Sequence, residues 1–156
     1  MVRDLIIPNR IMACEGVIEG FGHISARHSE NQERYMMACS WIPALVVARD
    51  ILKYDLDSTP LDADGIAVHA ERFVHGEIYR ARWDVMSVCH NHAYAFIPPG
   101  ITGEPLRPVW HAAADMGAEA QIWDIRDLIR RYEHTGARQY AKRSLGADSR
   151  CPLPSV

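Results

Sequence analysis

Two histidines separated by one residue end an apolar run near the middle of the chain. The run "DVMSVC", Asp84 to Cys89, has the composition of a buried strand, and His90 and His92 follow it at once. Because successive side chains of a strand point to opposite faces, the two imidazoles are expected side by side, about 6–7 Å apart at their bases. Such a pair can converge on one metal ion, whereas Cys89 is expected to face the other side of the strand.

A carboxylate upstream can complete this pair. The segment "AERFVHGEIYRA" predicts a helix from about Ala70 to Ala81 or Arg82, with Glu71 near its start and His75 one turn later on the same face. The following strand runs back past the helix, so Glu71 can meet the histidine pair. One carboxylate and two imidazoles suit Zn²⁺, Mn²⁺ or Fe²⁺ and leave coordination positions open for a substrate. From the residues alone, an acid that interacts with the helix macrodipole is the simpler interpretation of Glu71.

The whole-chain composition excludes several classes of protein. The 156 residues are enough for one domain with a core, and the formal net charge of −3 gives no reason to expect nucleic acid or an anionic membrane as a partner. No apolar run reaches membrane-spanning length, and the first residues lack a signal-peptide core. The four cysteines form no CxxC pair, which predicts reduced, mostly buried thiols in a cytoplasmic protein.

The spacing of apolar residues and the positions of glycine and proline predict the helices and strands that position these residues. A helix is expected from about Pro8 to Gly20 or Gly22, followed by a short strand through Ile24 and Ala26. The segment 34–40 is expected to pair with that strand as a hairpin, and Pro43 to begin a short helix or a loop into another strand. A strand over 84–90, a rigid loop over 97–108 and a basic amphipathic helix near the C-terminus complete the predicted order.

The stretch "GFGHISARH" permits two interpretations. Gly22 and the preceding glycine turn can simply end a helix, with Ser25 and Arg27 alternating in a half-exposed strand. Alternatively, the turn amides, the Ser25 hydroxyl and the Arg27 guanidinium form a cradle for a carboxylate or phosphate. His23 is then placed to donate to a substrate oxygen, or else is a polar loop histidine. His69 is expected at the surface.

These residues carry a resemblance to a known family. The segment "ERFVHGEIYRARWDVMSVCHNH" resembles the class II aldolase/adducin family, whose signature is a glutamate, a histidine four residues later and an HxH pair nineteen residues after the glutamate. Trp83 stands where that family usually has proline, and His23 stands where it usually has asparagine. The segments "GHIS", "RYMMACSWIPALV" and "GEPLRPVWH" are similar to the branch that contains decarboxylases of hydroxylated aromatic or pyridine dicarboxylates.

The resemblance implies a fold and a set of site residues. The implied fold is α/β, with three layers (α/β/α) around a central, mainly antiparallel sheet, over residues 1–127. It implies three groups of site residues: metal ligands Glu71, His90 and His92; catalytic residues Glu71 and His23; and substrate-binding residues Gly22, His23, Ser25, Arg27 and Ser40.

The C-terminal part departs from the family pattern. The family has a third histidine ligand in a later "GHG"-like segment, which this sequence lacks; His111 and His134 do not match it. We therefore expect a shortened or altered C-terminal part, with residues 128–156 forming a divergent basic helix and tail.

The function expected from the resemblance is that of a metal-dependent carbon–carbon lyase. Decarboxylation of a hydroxylated aromatic or heteroaromatic dicarboxylate is the first expectation, with a small-molecule carboxylate as substrate, a divalent ion (Zn, Mn or Fe) as cofactor and a homo-oligomer, in this family usually a tetramer, as the assembly. Two alternatives stay open: a sugar-phosphate aldolase similar to fuculose-phosphate aldolases, and a catalytically inactive adducin-like assembly module.

Overall fold

The computed structural model describes residues 1–120 and residue 122 of the chain. Its centre is a four-stranded antiparallel sheet in the order β3-β2-β1-β4. The strands are β1 (His23–Arg27), β2 (Arg34–Ala38), β3 (Ile51–Asp55) and β4 (Ser87–His90). The predicted hairpin of β1 and β2 is confirmed.

The central strands β1 and β2 have buried side chains on both faces of the sheet, because side chains alternate along each strand. In β2, Met36 and Ala38 belong to a core cluster with Leu5 and Ile18, whereas Tyr35 and Met37 belong to a second cluster on the opposite face. Helix α1 (Val2–Cys14) covers the first face, and helix α2 (Arg72–Ala81) covers the second. The expected three-layer α/β/α arrangement with an antiparallel sheet is therefore confirmed.

The predicted bounds of helix α1 were wrong at both ends. The helix begins before Pro8 rather than at it, and the Asn9 side-chain amide donates to the Leu5 carbonyl at 2.7 Å beside the proline. The helix ends at Cys14 because Gly16 adopts a left-handed φ of 67°. The amides of Gly16 and Val17 then donate to the Ala13 and Met12 carbonyls, a Schellman termination that needs glycine at this position.

Helix α2 lies close to the loop that follows β3. A Cβ atom at Gly76 would collide with the Ser58 hydroxyl and come within 2.9 Å of the Leu56 carbonyl, so the helix approaches the loop at a residue without a side chain. Its buried residues are His75, Gly76 and Tyr79. At its C-terminal end, Arg82 pairs with Asp84 through two bonds of 2.8 and 2.5 Å.

The remaining elements are short. The segment after Pro43 forms two 3-10 turns, Pro43–Leu45 and Ala48–Asp50, which lead into β3. Strand β4 begins three residues later than predicted, and helix α3 (Ile97–Thr102) lies in the predicted loop. Cys14 and Cys89 are exposed, contrary to expectation, and Cys39 is buried. The predicted basic helix and the domain boundary after residue 127 lie outside the described residues.

Candidate metal centre

Strands β1 and β4 bring the first two histidines of the site together. His23 opens β1 and His90 ends β4, and the antiparallel register places them directly opposite each other. Their rings stack with centroids 4.9 Å apart and an interplanar angle of 14°. This cross-strand pair lies on the face that α2 covers, so the start of α2 can reach it.

The start of helix α2 positions the carboxylate of Glu71. Glu71 is its N-cap residue, and its Oε2 lies 3.3 Å from Nε2 of His90 and 3.4 Å from Nε2 of His23. The exposed fraction of the side chain rises from 1% for His23 to 24% for His90 and 45% for Glu71. The site therefore opens from a buried imidazole to a carboxylate that solvent and small molecules can reach.

His92 reaches the site from outside the sheet. Strand β4 ends at His90, so strand alternation does not place the second histidine. Its ring instead meets that of His90 edge-on, with the two Nε2 atoms 3.0 Å apart, and its Nε2 lies 4.0 Å from Oε1 of Glu71. The predicted juxtaposition of Glu71, His90 and His92 is present, although the backbone geometry that produces it differs from the one expected.

Glu19, which the sequence did not indicate, fixes the orientation of His92. Its carboxylate accepts a hydrogen bond of 2.7 Å from the ring Nδ1 of His92 and another of 3.0 Å from the His92 backbone amide. Burial raises the pKa of Glu19, but the hydrogen bonds from His92, the Glu19 backbone amide and the charge of the His92 ring together lower it more, so the carboxylate stays ionised. Since Nδ1 donates its proton, Nε2 of His92 carries a lone pair facing the site, as in many metal-ligating histidines.

Two overlapping sets of three donors result. One is the predicted set of Glu71, His90 and His92; the other is His23, Glu71 and His90, whose donor atoms lie within 4.8 Å of one another. In a tetrahedral zinc site with ligands at 2.0–2.1 Å, donor atoms are separated by about 3.3 Å. In the first set the two Nε2 atoms lie 3.0 Å apart and face different oxygens of Glu71, with Oε2 3.3 Å from His90 and Oε1 4.0 Å from His92. With both carboxylate oxygens counted, the residues fit a divalent ion of this size.

His23 is the buried end of a hydrogen-bonded chain. Its Nδ1 lies 2.8 Å from Nε2 of His75, whose Nδ1 lies 2.6 Å from the Ser25 hydroxyl, which lies 2.7 Å from the Tyr79 hydroxyl. Burial, with smaller contributions from neighbouring histidines, lowers the pKa of His23 to about 2 and that of His75 to about 3. Both rings are therefore neutral at physiological pH, and His23 is poorly suited to the proton-donating role of an imidazolium.

Arg27 differs most from its expected role. The side chain is 4% exposed and donates to the backbone carbonyls of Val85, Gln32, Tyr79 and Arg82 at 2.6–3.0 Å. Ser25 is also fully buried and is hydrogen-bonded on both sides within the chain described above. In contrast to the expected anion cradle, these two side chains connect β1 to α2, and the guanidinium is committed to backbone oxygens.

Three further positions complete the account of the predicted site. Gly22 lies where a Cβ atom would meet Ile18 at 2.8 Å and the His90 carbonyl at 3.2 Å, so a close approach of two backbones accounts for this glycine. Ser40 is exposed, with its amide bonded to the Ala67 carbonyl. His69, expected at the surface, is 8% exposed with its ring centroid 4.4 Å from that of His23, and in the described part of the chain its Nε2 has no hydrogen-bond partner.

A three-layer α/β/α fold that gathers a glutamate and neighbouring histidines at one end of an antiparallel sheet defines a recognisable class of proteins. Residues 3–145 match the family described as "Class II Aldolase and Adducin N-terminal domain", which is most of the chain. The chain therefore belongs to the class II aldolase/adducin family, and the resemblance identified from the sequence is confirmed.

Two curated relatives can be aligned with most of this chain. The chain is 33% identical over 126 residues to "Decarboxylase tropJ" of Talaromyces stipitatus. The alignment covers 80% of this chain and 47% of that protein. It is 30% identical over 118 residues to the "3,4-dihydroxyphthalate decarboxylase" of a Terrabacter species, covering 70% of this chain and 48% of that protein. The chain thus spans about half the length of both curated relatives.

Solved structures support the fold. The L-fuculose 1-phosphate aldolase from Glaciozyma antarctica superimposes with a TM-score of 0.66 at 22% identity, covering 74% of this chain and 49% of that one. At this identity, the likeness establishes the arrangement of helices and strands and carries no information on the substrate.

Proposed function

We propose that this protein is a cation-dependent carbon–carbon lyase that decarboxylates a hydroxylated aromatic or heteroaromatic dicarboxylate. The observation that carries the proposal is the convergence of Glu71, His90 and His92, with His92 held by Glu19 so that its Nε2 lone pair faces the other two donors. The two relatives with 30–33% identity are both named decarboxylases, which supports this type of reaction.

Glu71, His90 and His92 would hold a divalent ion such as Zn²⁺, Mn²⁺ or Fe²⁺. When bound, such an ion supplies Lewis-acid stabilisation of the negative charge that develops as carbon dioxide leaves. The chain's own contribution is positional: it sets the exposed carboxylate of Glu71 within 3.4 Å of the buried His23 ring, so that a substrate oxygen at the centre can meet both groups. The neutral His23 ring contributes as a hydrogen-bonding group at Nε2, and the proton that returns to carbon comes from solvent.

The sugar-phosphate aldolase alternative expects a basic cradle for the phosphate. Arg27 was the basic residue predicted for that cradle, and its donors serve four backbone carbonyls instead. This observation favours decarboxylation over aldol cleavage as the first reaction to test. An inactive adducin-like module remains distinguishable because it does not require a bound ion.

The metal content of the purified protein is the first experiment. We expect about one divalent ion per chain in the wild type and loss of that ion in His90→Ala/His92→Ala. The double variant His28→Ala/His111→Ala, which removes two histidines outside the cluster, should retain it. A wild-type protein that binds no divalent ion after incubation with Zn²⁺, Mn²⁺ and Fe²⁺ would contradict the proposal.

Carbon dioxide release from 3,4-dihydroxyphthalate and related hydroxy-dicarboxylates then tests the reaction. Cleavage of fuculose 1-phosphate is the parallel assay for the alternative. Activity in the second assay with none in the first would replace the decarboxylase proposal by the aldolase one.

We further propose a homo-oligomer. Several large apolar side chains in the second half of the described chain are more than half exposed: Trp83, Tyr94, Ile101, Val109 and Trp110. A self-association that covers them would explain this exposure. Light scattering on the purified chain tests it, and a monomer at micromolar concentration would contradict it.

A further inference from the structure

The two overlapping donor sets raise the question of whether His23 or His92 completes the centre. Both rings place Nε2 near Glu71, and His23 lies slightly closer, at 3.4 Å compared with 4.0 Å. Distance therefore does not decide between them. A ring nitrogen binds a cation only through a lone pair, so the position of the ring proton decides.

The proton positions in the buried chain can be worked out by matching donors to acceptors. His75 is fully buried and neutral, so one of its two ring nitrogens carries a hydrogen and the other accepts. If Nε2 of His75 donates to His23, then Nδ1 of His75 accepts from the Ser25 hydroxyl, and Ser25 accepts from the Tyr79 hydroxyl. Every hydrogen in the chain then has an acceptor.

The opposite direction leaves one hydrogen without a partner. If Nδ1 of His75 donates to Ser25, either the Ser25 or the Tyr79 hydroxyl hydrogen has no acceptor left. Both hydroxyls are buried, and among residues 1–120 and 122 they have each other and His75 as side-chain hydrogen-bond partners. A buried donor without an acceptor carries its full desolvation cost, so the first direction is the stable one.

The first direction fixes the proton of His23. Since Nδ1 of His23 accepts from His75, its ring hydrogen lies on Nε2, a buried atom that has no hydrogen-bond partner among the described residues and lies 3.4 Å from Oε2 of Glu71. We infer that His23 is a tautomer-locked hydrogen-bond donor to the oxygen atoms of the centre, and not a cation ligand. Ser25, His75 and Tyr79 are positioning residues that hold it in that state.

By the same reasoning Nδ1 of His92 donates to Glu19, and its Nε2 lone pair faces Nε2 of His90 at 3.0 Å. Among the described residues no hydrogen bond to Nδ1 of His90 holds the ring proton of His90 on Nε2, so His90 can change tautomer and ligate, whereas His23 cannot. The inference about which imidazole binds the ion rests on the proposed function; the tautomer of His23 does not. In the presence of an anionic substrate oxygen, the Nε2 hydrogen of His23 has a second acceptor beside Glu71.

Nitrogen NMR of the full chain with ¹⁵N-labelled histidine tests the inference directly, because protonated and bare ring nitrogens resonate far apart. In chelator-treated protein we expect His23, assigned by its absence from His23→Gln, to carry its hydrogen on Nε2. After addition of Zn²⁺, Nε2 of His92 should shift and Nε2 of His23 should remain protonated. A His23 ring with its hydrogen on Nδ1, or one that loses the Nε2 hydrogen on Zn²⁺ binding, would overturn the inference.

Two variants test whether the hydrogen bonds that link Tyr79, Ser25 and His75 set the proton of His23, or whether these side chains only pack against it. Tyr79→Phe leaves the Ser25 hydroxyl free to donate to His75, so the His23 tautomer should not change. Ser25→Ala removes that donor and should produce a mixture of the two His23 tautomers; an unmixed spectrum would show that the chain does not set the proton. If Zn²⁺ shifts no histidine at all, the proposed function fails while the chelator-treated spectrum still decides the inference.

Discussion

At the scale of single residues, the centre depends on hydrogen bonds that orient its donors. Glu19 and His92 lie 73 positions apart in the chain, yet two bonds of 2.7 and 3.0 Å join them. The approach of His90 to His92 was predictable from their spacing, whereas the expectation that Glu71 joins them came from the family resemblance. Glu19 and the burial of His69 were not predictable, since both result from contacts between distant segments that local patterns do not encode.

Substitution of Glu19 tests this orienting role. Glu19→Gln keeps the shape but removes the ionised acceptor for the His92 ring, so we expect divalent-ion affinity to fall by about 10–100-fold. Glu15→Gln, at an exposed position in the same turn region, should leave the affinity unchanged. Zn²⁺ titration in competition with a chelator measures both, and equal affinities for the two variants would contradict the role.

At the scale of elements, Arg27 of β1 supports the C-terminal end of α2. The last carbonyls of a helix lack partners within the helix, and a cation there also interacts favourably with the macrodipole. Arg27 donates to the carbonyls of Tyr79 and Arg82 at 2.6 and 2.7 Å and so satisfies two of them. The polar alternation "HISAR" correctly predicted a strand, but the same pattern does not reveal that its polar face meets a helix rather than solvent.

Replacing Arg27 should therefore mainly lower the free energy of unfolding. We expect Arg27→Met to reduce the free energy of unfolding by on the order of 3 kcal/mol, because buried carbonyls lose a charged donor. Arg3→Met, at an exposed position in α1, is the control. Denaturant unfolding in urea measures the difference. An unchanged unfolding midpoint together with weakened carboxylate binding would restore the anion-cradle role for Arg27.

The helices show where sequence patterns succeed and fail. The apolar stripe of α2 and the alternation of β1 and β2 predicted these elements because each buries one regular face. The bounds of α1 are mispredicted because proline commonly begins a helix and glycine commonly ends one, which pointed to Pro8 and to Gly20 or Gly22. In the structure Pro8 lies within the helix, and Gly16 with its left-handed φ follows the helix end.

At the scale of the whole molecule, a group of buried neutral imidazoles makes stability depend on pH. Burial lowers the pKa of His23 to about 2 and that of His75 to about 3, and it lowers those of His69 and His90 as well. In the unfolded chain these rings titrate near pH 6.5. Between the folded and unfolded values the unfolded chain binds more protons, so the stabilisation is complete above about pH 6.5 and is lost as the pH falls.

Unfolding measurements between pH 7 and pH 5 in the presence of chelator test this dependence. Each buried histidine should contribute a slope of up to about 1.4 kcal/mol per pH unit below its unfolded value. His75→Gln should flatten the slope by one such contribution, whereas His111→Gln, at an exposed position, should not. Identical slopes for wild type and His75→Gln would contradict the account.

Among the described residues, no helix is long and apolar enough to cross a bilayer.

The position of His92 beyond the last residue of β4 has a consequence for how the chain continues. The backbone after His90 leaves the sheet, and Glu19 fastens it at one point through the amide and ring of a single residue. We therefore expect binding of an ion by Glu71, His90 and His92 to restrict the segment that follows residue 90. A bound ion should hold the backbone after strand β4 more firmly. Protease cleavage of the 91–96 segment should therefore become slower as the ion is added.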